Sequence, residues 1–309
     1  MKKFALSALL LVAGTASAGP ILVTGAGATF PFPLYSKWFA EYNKAFPDIR
    51  FNYQSIGSGG GIQQFTNGTV DFGATDAPMN PDEMAKAADA VHVPTVLGAV
   101  VVTYNAPFAG LKLTPDLLAA IYLGKVSKWS DPALAKVSSE WKEKVGTGKS
   151  VSWPAGLGGK GNEGVTGLIK QTPGSIGYVE LAYANQNKLP LTTLQNRDGN
   201  FVAPSLESTS AAAAGVQMPA DYRVSLTNAA GATAYPIASF TYLLIHKDMA
   251  DQAKGEAIVK FLWWAIHDGQ KLAAPLDYAP LPKSVVSMVE KTVRGLQVQG
   301  KPVTLAAAQ

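Results

Sequence analysis

The sequence predicts an α/β protein of two lobes joined by two crossover strands. Three observations carry this. Short apolar strands alternate with helix-period stretches along most of the chain. A strand, a polar or glycine-rich turn and a helix start follow one another three times before residue 80. Two long apolar strands, Val96–Tyr104 and Ile237–His246, stand far apart in the chain and suit an exit from one lobe and a return to it. On that pattern residues 19–100 and 240–309 form lobe I and residues 101–239 form lobe II.

Residues 1–18 read as a leader rather than as part of the fold. Lys2 and Lys3 precede an apolar run from Phe4 to Val12, and Ala16-Ser17-Ala18 fits the small-residue cleavage pattern of a secretory signal peptide. The run is too short to span a bilayer, which takes about 20 residues. Ile21-Leu22-Val23 is then the first strand, followed by a turn over Gly25–Phe30. Leu34, Trp38 and Tyr42 recur every fourth residue, flanked by Tyr35, Phe39 and Phe46, which predicts an amphipathic helix starting near Pro31–Pro33. Phe51–Gln54 alternates as a strand, Gly57–Gly61 is a second glycine-rich turn, and Ile62 and Phe65 begin another helix. Val70–Ala74 is a third strand, ending at Thr75-Asp76-Ala77-Pro78. Late in the chain Ile258, Leu262 and Ile266 mark a helix with Gly269 just past its end, as a C-terminal cap. Val285, Val286, Val289 and Val293 mark the last helix.

Composition removes several function classes. The 26 basic and 22 acidic residues give a net charge of +4, which falls to +2 once Lys2 and Lys3 leave with the leader. With no Lys/Arg run, no nucleic-acid partner is expected. The chain has no cysteine, so disulfides play no part. His92, His246 and His267 lack ligand-like spacing, so neither a metal nor another cofactor is expected. There is no G-x-S-x-G elbow or other nucleophile with a base, and no enzyme activity is expected. Gly156–Gly161 matches G-x-G-x-x-G but lacks an uninterrupted strand before it, because Pro154 intervenes. It reads as the start of a helix over Val165–Ile169 and not as a nucleotide loop.

The three turns collect the candidate site. In open α/β sheets, ligands bind at the carboxyl ends of strands, where helix N-termini favour an anion. Thr29 and Phe30 offer a hydroxyl and an N–H to an oxyanion, and Thr29 also suits an ordinary helix cap. Ser58 sits among glycines able to turn N–H groups toward a ligand, or simply to bend the chain. Asp76 is either a helix cap or the discriminating group. A carboxylate repels a fully ionised oxyanion but accepts the O–H of a protonated one in a short charge-assisted bond. That arrangement takes phosphate, which keeps a proton near neutral pH, and rejects sulfate, which does not.

Several stretches resemble the family of periplasmic phosphate-binding proteins that serve high-affinity phosphate ABC importers. They are Thr24–Pro31, Gly57-Ser58 with the glycines that follow, Val70–Pro78, Ile121–Lys125, Trp153–Asn162, Gly174–Glu180 and Leu243–Asp248. The resemblance implies a type II periplasmic-binding-protein-like fold of two α/β lobes around a cleft. It implies phosphate ligands at Thr29, Phe30, Ser58 and Asp76, and a monomer in the periplasm that hands phosphate to the permease subunits of the importer. The second lobe departs from the family. Family members carry a strand ending in arginine, an Asp-Gly-Ser-Gly-Thr turn and a helix where this chain runs directly from Ala133–Val137 into Ser138-Ser139-Glu140, about thirty residues shorter. Arg50, Arg197, Arg223 and Arg294 are the only arginines, and none has a comparable setting. The lobe is therefore expected to be truncated, and the alternative reading is a binding-impaired exported relative.

Cleavage is expected after Ala18. N-terminal sequencing of the exported protein should begin at Gly19, and a mature form that retains Lys2 and Lys3 would contradict it.

Overall fold

The structure is a computed structural model and describes residues 19–128 and 153–305. The chain opens with β1 (Ile21–Gly27), α1 (Phe32–Ala45), β2 (Ile49–Ser55), α2 (Ser58–Thr66) and β3 (Phe72–Thr75). Strands β2 and β3 lie parallel to β1, one on each side. Three carboxyl ends therefore open onto one edge of the sheet, each followed by its own turn.

After α3 (Pro81–Lys86) comes β4 (Ala90–Tyr104), fifteen residues long and starting earlier than the sequence pattern indicated. It pairs antiparallel with β9 (Ala238–His246) over Ala90–Ala99 and with β6 (Ile176–Glu180) over Val100–Tyr104. The register slips between Pro94 and Val96, where proline has no N–H for the ladder. The complete sheet runs β2-β1-β3-β9-β4-β6. Around its far half lie β5 (Lys112–Leu113), α4 (Pro115–Tyr122), α5 (Gly161–Gln171), α6 (Leu181–Gln186), β7 (Thr193–Gln195) and β8 (Phe201–Val202). Helix α7 (Leu206–Ala214) precedes β9. After β9 come β10 (Asp248–Met249), α8 (Gln252–Ile266), α9 (Lys283–Arg294), β11 (Gln297–Val298) and β12 (Lys301–Pro302).

Helix α1 buries the stripe its sequence announces: Leu34, Tyr35, Trp38, Phe39 and Tyr42. Phe39 stacks on Phe51 of β2 with ring centroids 5.2 Å apart, and Tyr42 meets Phe261 of α8 edge-on at 5.2 Å. Burial of each such ring contributes about 1.5–3 kcal/mol, and edge-on or offset pairing adds a little more. Two apolar cores meet along β4. Val93, Val96 and Leu97 belong to the core beneath α1 and α8, whereas Ala99, Val101 and Val102 pack with Leu113, Leu117, Val179 and Leu194.

Three details differ from the sequence expectation. Gly25–Gly27 belong to β1, so the turn starts only at Ala28. Gly59–Gly61 lie inside α2 rather than in a turn. Gly61 is there for close approach: a Cβ would sit 2.4 Å from Gly27 Cα and 2.7 Å from the Ala74 carbonyl oxygen. Helix α8 ends on His267, not on a glycine cap, and Gly269 follows in a short 3-10 turn whose carbonyl accepts the Trp38 indole N–H at 2.7 Å. The junction at Ser138-Ser139 lies outside the described residues.

Candidate functional site

All four residues singled out in the sequence lie at the carboxyl ends of the parallel strands. Thr29 and Phe30 follow β1, Ser58 opens α2 after β2, and Asp76 follows β3. None of them caps a helix with its side chain. Helix α1 starts at Pro31 without a side-chain cap, and the cap of α3 is Asn80, which forms a reciprocal pair with Glu83. The capping role open to Thr29 is therefore left unfilled, and that open to Asp76 is taken by Asn80.

The Ala28–Phe30 segment is held by its carbonyls. The hydroxyls of Tyr53, Tyr183 and Tyr278 donate to the carbonyl oxygens of Ala28, Thr29 and Phe30 respectively, each at 2.7 Å. Among the described residues, the N–H groups of Thr29 and Phe30 donate to no protein acceptor. Burial and neighbouring carboxyls raise all three phenols well above their ordinary range, so they remain donors. Sequence reasoning missed these tyrosines, which come from three distant parts of the chain and share no spacing.

Ser58 and Asp76 are brought together. The Asp76 N–H donates to Ser58 Oγ at 3.1 Å, and Ser58 Oγ donates to Asp76 Oδ2 at 3.3 Å. Thr241 Oγ1 of β9 donates to Asp76 Oδ1 at 2.9 Å, and Ser239 Oγ donates to the Asp76 carbonyl at 2.6 Å. The Asp76 carboxyl is partly buried, and desolvation pushes its pKa up to about 7 against the pull of the Thr241 and Ser58 hydroxyls. Glu180, fully buried at the end of β6, is also held well above the carboxylate range by burial. No lysine or arginine among the described residues shifts either group.

The start of α5 closes against this site. Gly161, at φ +66°, packs so tightly that a Cβ would lie 2.8 Å from Thr29 Cγ2. Next to it, Asn162 donates its main-chain N–H and its Nδ2 to Thr29 Oγ1, at 3.3 and 2.7 Å. Its Oδ1 accepts the Glu180 N–H at 2.7 Å. Glu163 accepts from Ser55 at 3.1 Å, and its Oε1 lies 2.9 Å from the Tyr183 hydroxyl, whose single proton it shares with the Thr29 carbonyl. The G-x-G-x-x-G run thus does start a helix, as read from the sequence, but its last residues also touch the site, which the sequence reading did not foresee.

Residues 14–268 match the PBP superfamily domain. The phosphate-binding protein PstS of Xylella fastidiosa (strain 9a5c) is 42% identical over 308 aligned positions, covering 87% of this chain and 84% of that protein. PstS of Pasteurella multocida (strain Pm70) is 42% identical over 306 positions, covering 87% and 88%. PstS of Methanocaldococcus jannaschii is 34% identical over 338 positions, covering 88% and 87%. That last alignment is longer than the 309 residues of this chain, so the relative carries residues that have no counterpart here. Among solved structures, the high-affinity periplasmic phosphate-binding protein PfluDING, bound with phosphate, superposes with a TM-score of 0.71 at 18% identity, covering 91% of this chain and 97% of that one. An ABC-type phosphate transport receptor from Vibrio cholerae gives 0.58 at 15% identity, covering 84% and 100%. These two are similar to this chain in fold.

The raised pKa of Asp76 has a stability consequence. The folded state holds this proton to higher pH than the unfolded chain, whose carboxyl titrates near 3.8. The associated stability is therefore complete below about pH 4 and is lost as the pH rises through about 7. Urea unfolding of phosphate-free protein between pH 4 and 8 should show a decline of a few kcal/mol that is smaller in Asp76→Asn. Parallel pH profiles for the two proteins would contradict it.

Proposed function

The chain belongs to the PBP superfamily and, within it, to the PstS phosphate-binding proteins, and we propose that it binds inorganic phosphate and delivers it to an ABC-type membrane importer. The observation that carries this reading is the pairing of two unlike functions at one set of strand ends. The unclaimed N–H groups of Thr29 and Phe30 favour an oxyanion, while the partly buried Asp76 carboxyl beside Ser58 rejects one that has no proton to share. The 3.3 Å bond between Ser58 and Asp76 is long and easily exchanged for one to a ligand oxygen. Phosphate ligands at Thr29, Phe30, Ser58 and Asp76 fit these contacts.

The remaining parts of the proposal follow from the family and from the leader. The protein is a periplasmic monomer that docks on permease subunits, and its work ends at binding and release without catalysis. Residues 19–100 with 240–309 form one lobe, residues 101–239 the other, and closure brings the start of α5 over the strand ends. Among the described residues, no helix is long and apolar enough to cross a membrane, in keeping with a carrier that relies on separate permease subunits.

One observation favours a weakened form of the same activity. The acidic cluster of Asp76, Glu180 and Glu163 meets no arginine or lysine that shifts Asp76 or Glu180 among the described residues, and the relatives are longer. Loss of a bidentate arginine and several hydroxyl and N–H donors costs on the order of 5 kcal/mol, at roughly 1.5–3 kcal/mol per charge-assisted bond, or about four decades in dissociation constant. Lys160, at the start of α5, is a poor replacement, because a flexible ammonium lacks the fixed fork of arginine.

Isothermal titration with phosphate tests both statements. The purified protein should bind phosphate, and a version with a family-type segment inserted after Ser138 should bind it far more tightly. Submicromolar binding without the insert would overturn the weakness, and no binding in either form would overturn the function. Competition with sulfate tests the role of Asp76. At a pH above about 7, where Asp76 is ionised, Asp76→Asn should narrow the preference for phosphate, because the repulsive carboxylate is gone. An unchanged preference would assign Asp76 to the fold alone.

A further inference from the structure

We infer that Asn162 is a positioning residue, which sets the Thr29 hydroxyl as a hydrogen-bond donor to the bound anion. The inference rests on the proposed phosphate site and concerns a residue outside its ligand set.

The orientation of the Asn162 amide is not open to choice. Its Oδ1 lies 2.7 Å from the Glu180 main-chain nitrogen, an obligatory donor, so this end of the amide is the oxygen. The other end is then the NH2 group, and it lies 2.7 Å from Thr29 Oγ1. The main-chain N–H of Asn162 reaches the same oxygen at 3.3 Å. A threonine hydroxyl has two acceptor lone pairs and one proton. Asn162 fills both lone pairs, so the proton must point away from it. Among the described residues that proton has no acceptor. Thr29 is 7% exposed, so bulk water does not decide the direction in place of Asn162.

The arrangement has a chemical purpose at an anion site. A hydroxyl free to rotate presents its lone pairs to an oxyanion as readily as its proton, and must be reoriented on binding. Two donors on Thr29 Oγ1 remove that freedom in advance and polarise the O–H bond in the direction the ligand uses. The same amide ties Thr29, after β1, to the end of β6. The donor direction is therefore set only when α5 sits against the strand ends. Gly161 makes the approach possible, since any side chain there would collide with Thr29.

The test is a double-mutant cycle on the full chain, with phosphate titrated into the millimolar range. Asn162→Ala and Thr29→Val are each expected to weaken binding about 10-fold or more, the usual size for a hydrogen bond to a charged group. In the Thr29→Val background, Asn162→Ala should cost no more than about 2-fold further, because there is no hydroxyl left to orient. Thr29→Ser, which keeps the hydroxyl, should retain the full sensitivity to Asn162→Ala. Equal losses in the parent and Thr29→Val backgrounds would overturn the inference and leave Asn162 as a prop for the Glu180 end of β6. Should Asn162→Ala fail to fold, Asn162→Asp preserves the acceptor for the Glu180 N–H but turns a donor into an acceptor at Thr29. Its charge penalty is measured in the Thr29→Val background, and a coupling between positions 29 and 162 beyond that penalty is the expected result. A dissociation constant indifferent to Thr29→Val, or no binding by the parent chain, would instead remove the proposed site itself, a pattern distinct from additive losses.

Discussion

The site depends on where the carbonyls of Ala28, Thr29 and Phe30 go. A three-residue turn between a buried strand and a buried helix has few ways to satisfy its polar groups, and an unpaired buried carbonyl costs about 1–3 kcal/mol. Here three phenol hydroxyls take all three carbonyls at 2.7 Å. They come from β2, from α6 and from the segment before α9, so the turn is tied to much of the molecule at once. The conformation that satisfies the carbonyls leaves the Thr29 and Phe30 N–H groups without protein acceptors among the described residues. A turn with unclaimed N–H donors arises as the counterpart of a carbonyl-binding cradle.

The electrostatics of the cleft follow from burial. Asp76 is partly withdrawn from water and its carboxyl receives only hydroxyl contacts, so its proton affinity rises until it titrates near neutrality. Glu180 is displaced in the same direction. A carboxyl poised in this way exchanges a proton with a ligand that itself carries one, and it opposes a ligand that carries none. Binding and rejection thus use the same atoms. The unusual aspect in this chain is that nothing cationic among the described residues balances the acids, whereas an anion carrier ordinarily neutralises its ligand from the opposite lobe.

The α5 start gains significance in that setting. Its first residue, Gly161, and the asparagine that follows fill the space above Thr29 directly. A helix start, a hydroxyl and a strand end are joined through one amide group. Seating of the α5 start and orientation of the Thr29 hydroxyl therefore go together in this structure.

Much of the fold was legible in the chain itself. The aromatic stripe of α1, the valine face of α9 and the alternation of strands with helices are local patterns, read by periodicity from neighbouring residues. The four strand-end residues were legible for a similar reason, since each follows its own strand within a few positions. One local reading failed where packing overrode propensity, and one alternative left open by the sequence was decided. Gly59–Gly61 look like a turn but form a helix, because Gly61 lets α2 touch the β1 and β3 backbones. Asp76 looks like a cap, yet Asn80 caps α3. What the sequence by itself determined was therefore the element order, the family resemblance and the residues gathered at the strand ends. Only the tertiary structure decided their protonation and direction. The pKa of Asp76 depends on burial by segments far away in the chain, the tyrosine donors at positions 53, 183 and 278 share no pattern, and the pairing of Thr29 with Asn162 spans 133 residues. Such properties depend on distance in space, which a linear spacing does not encode.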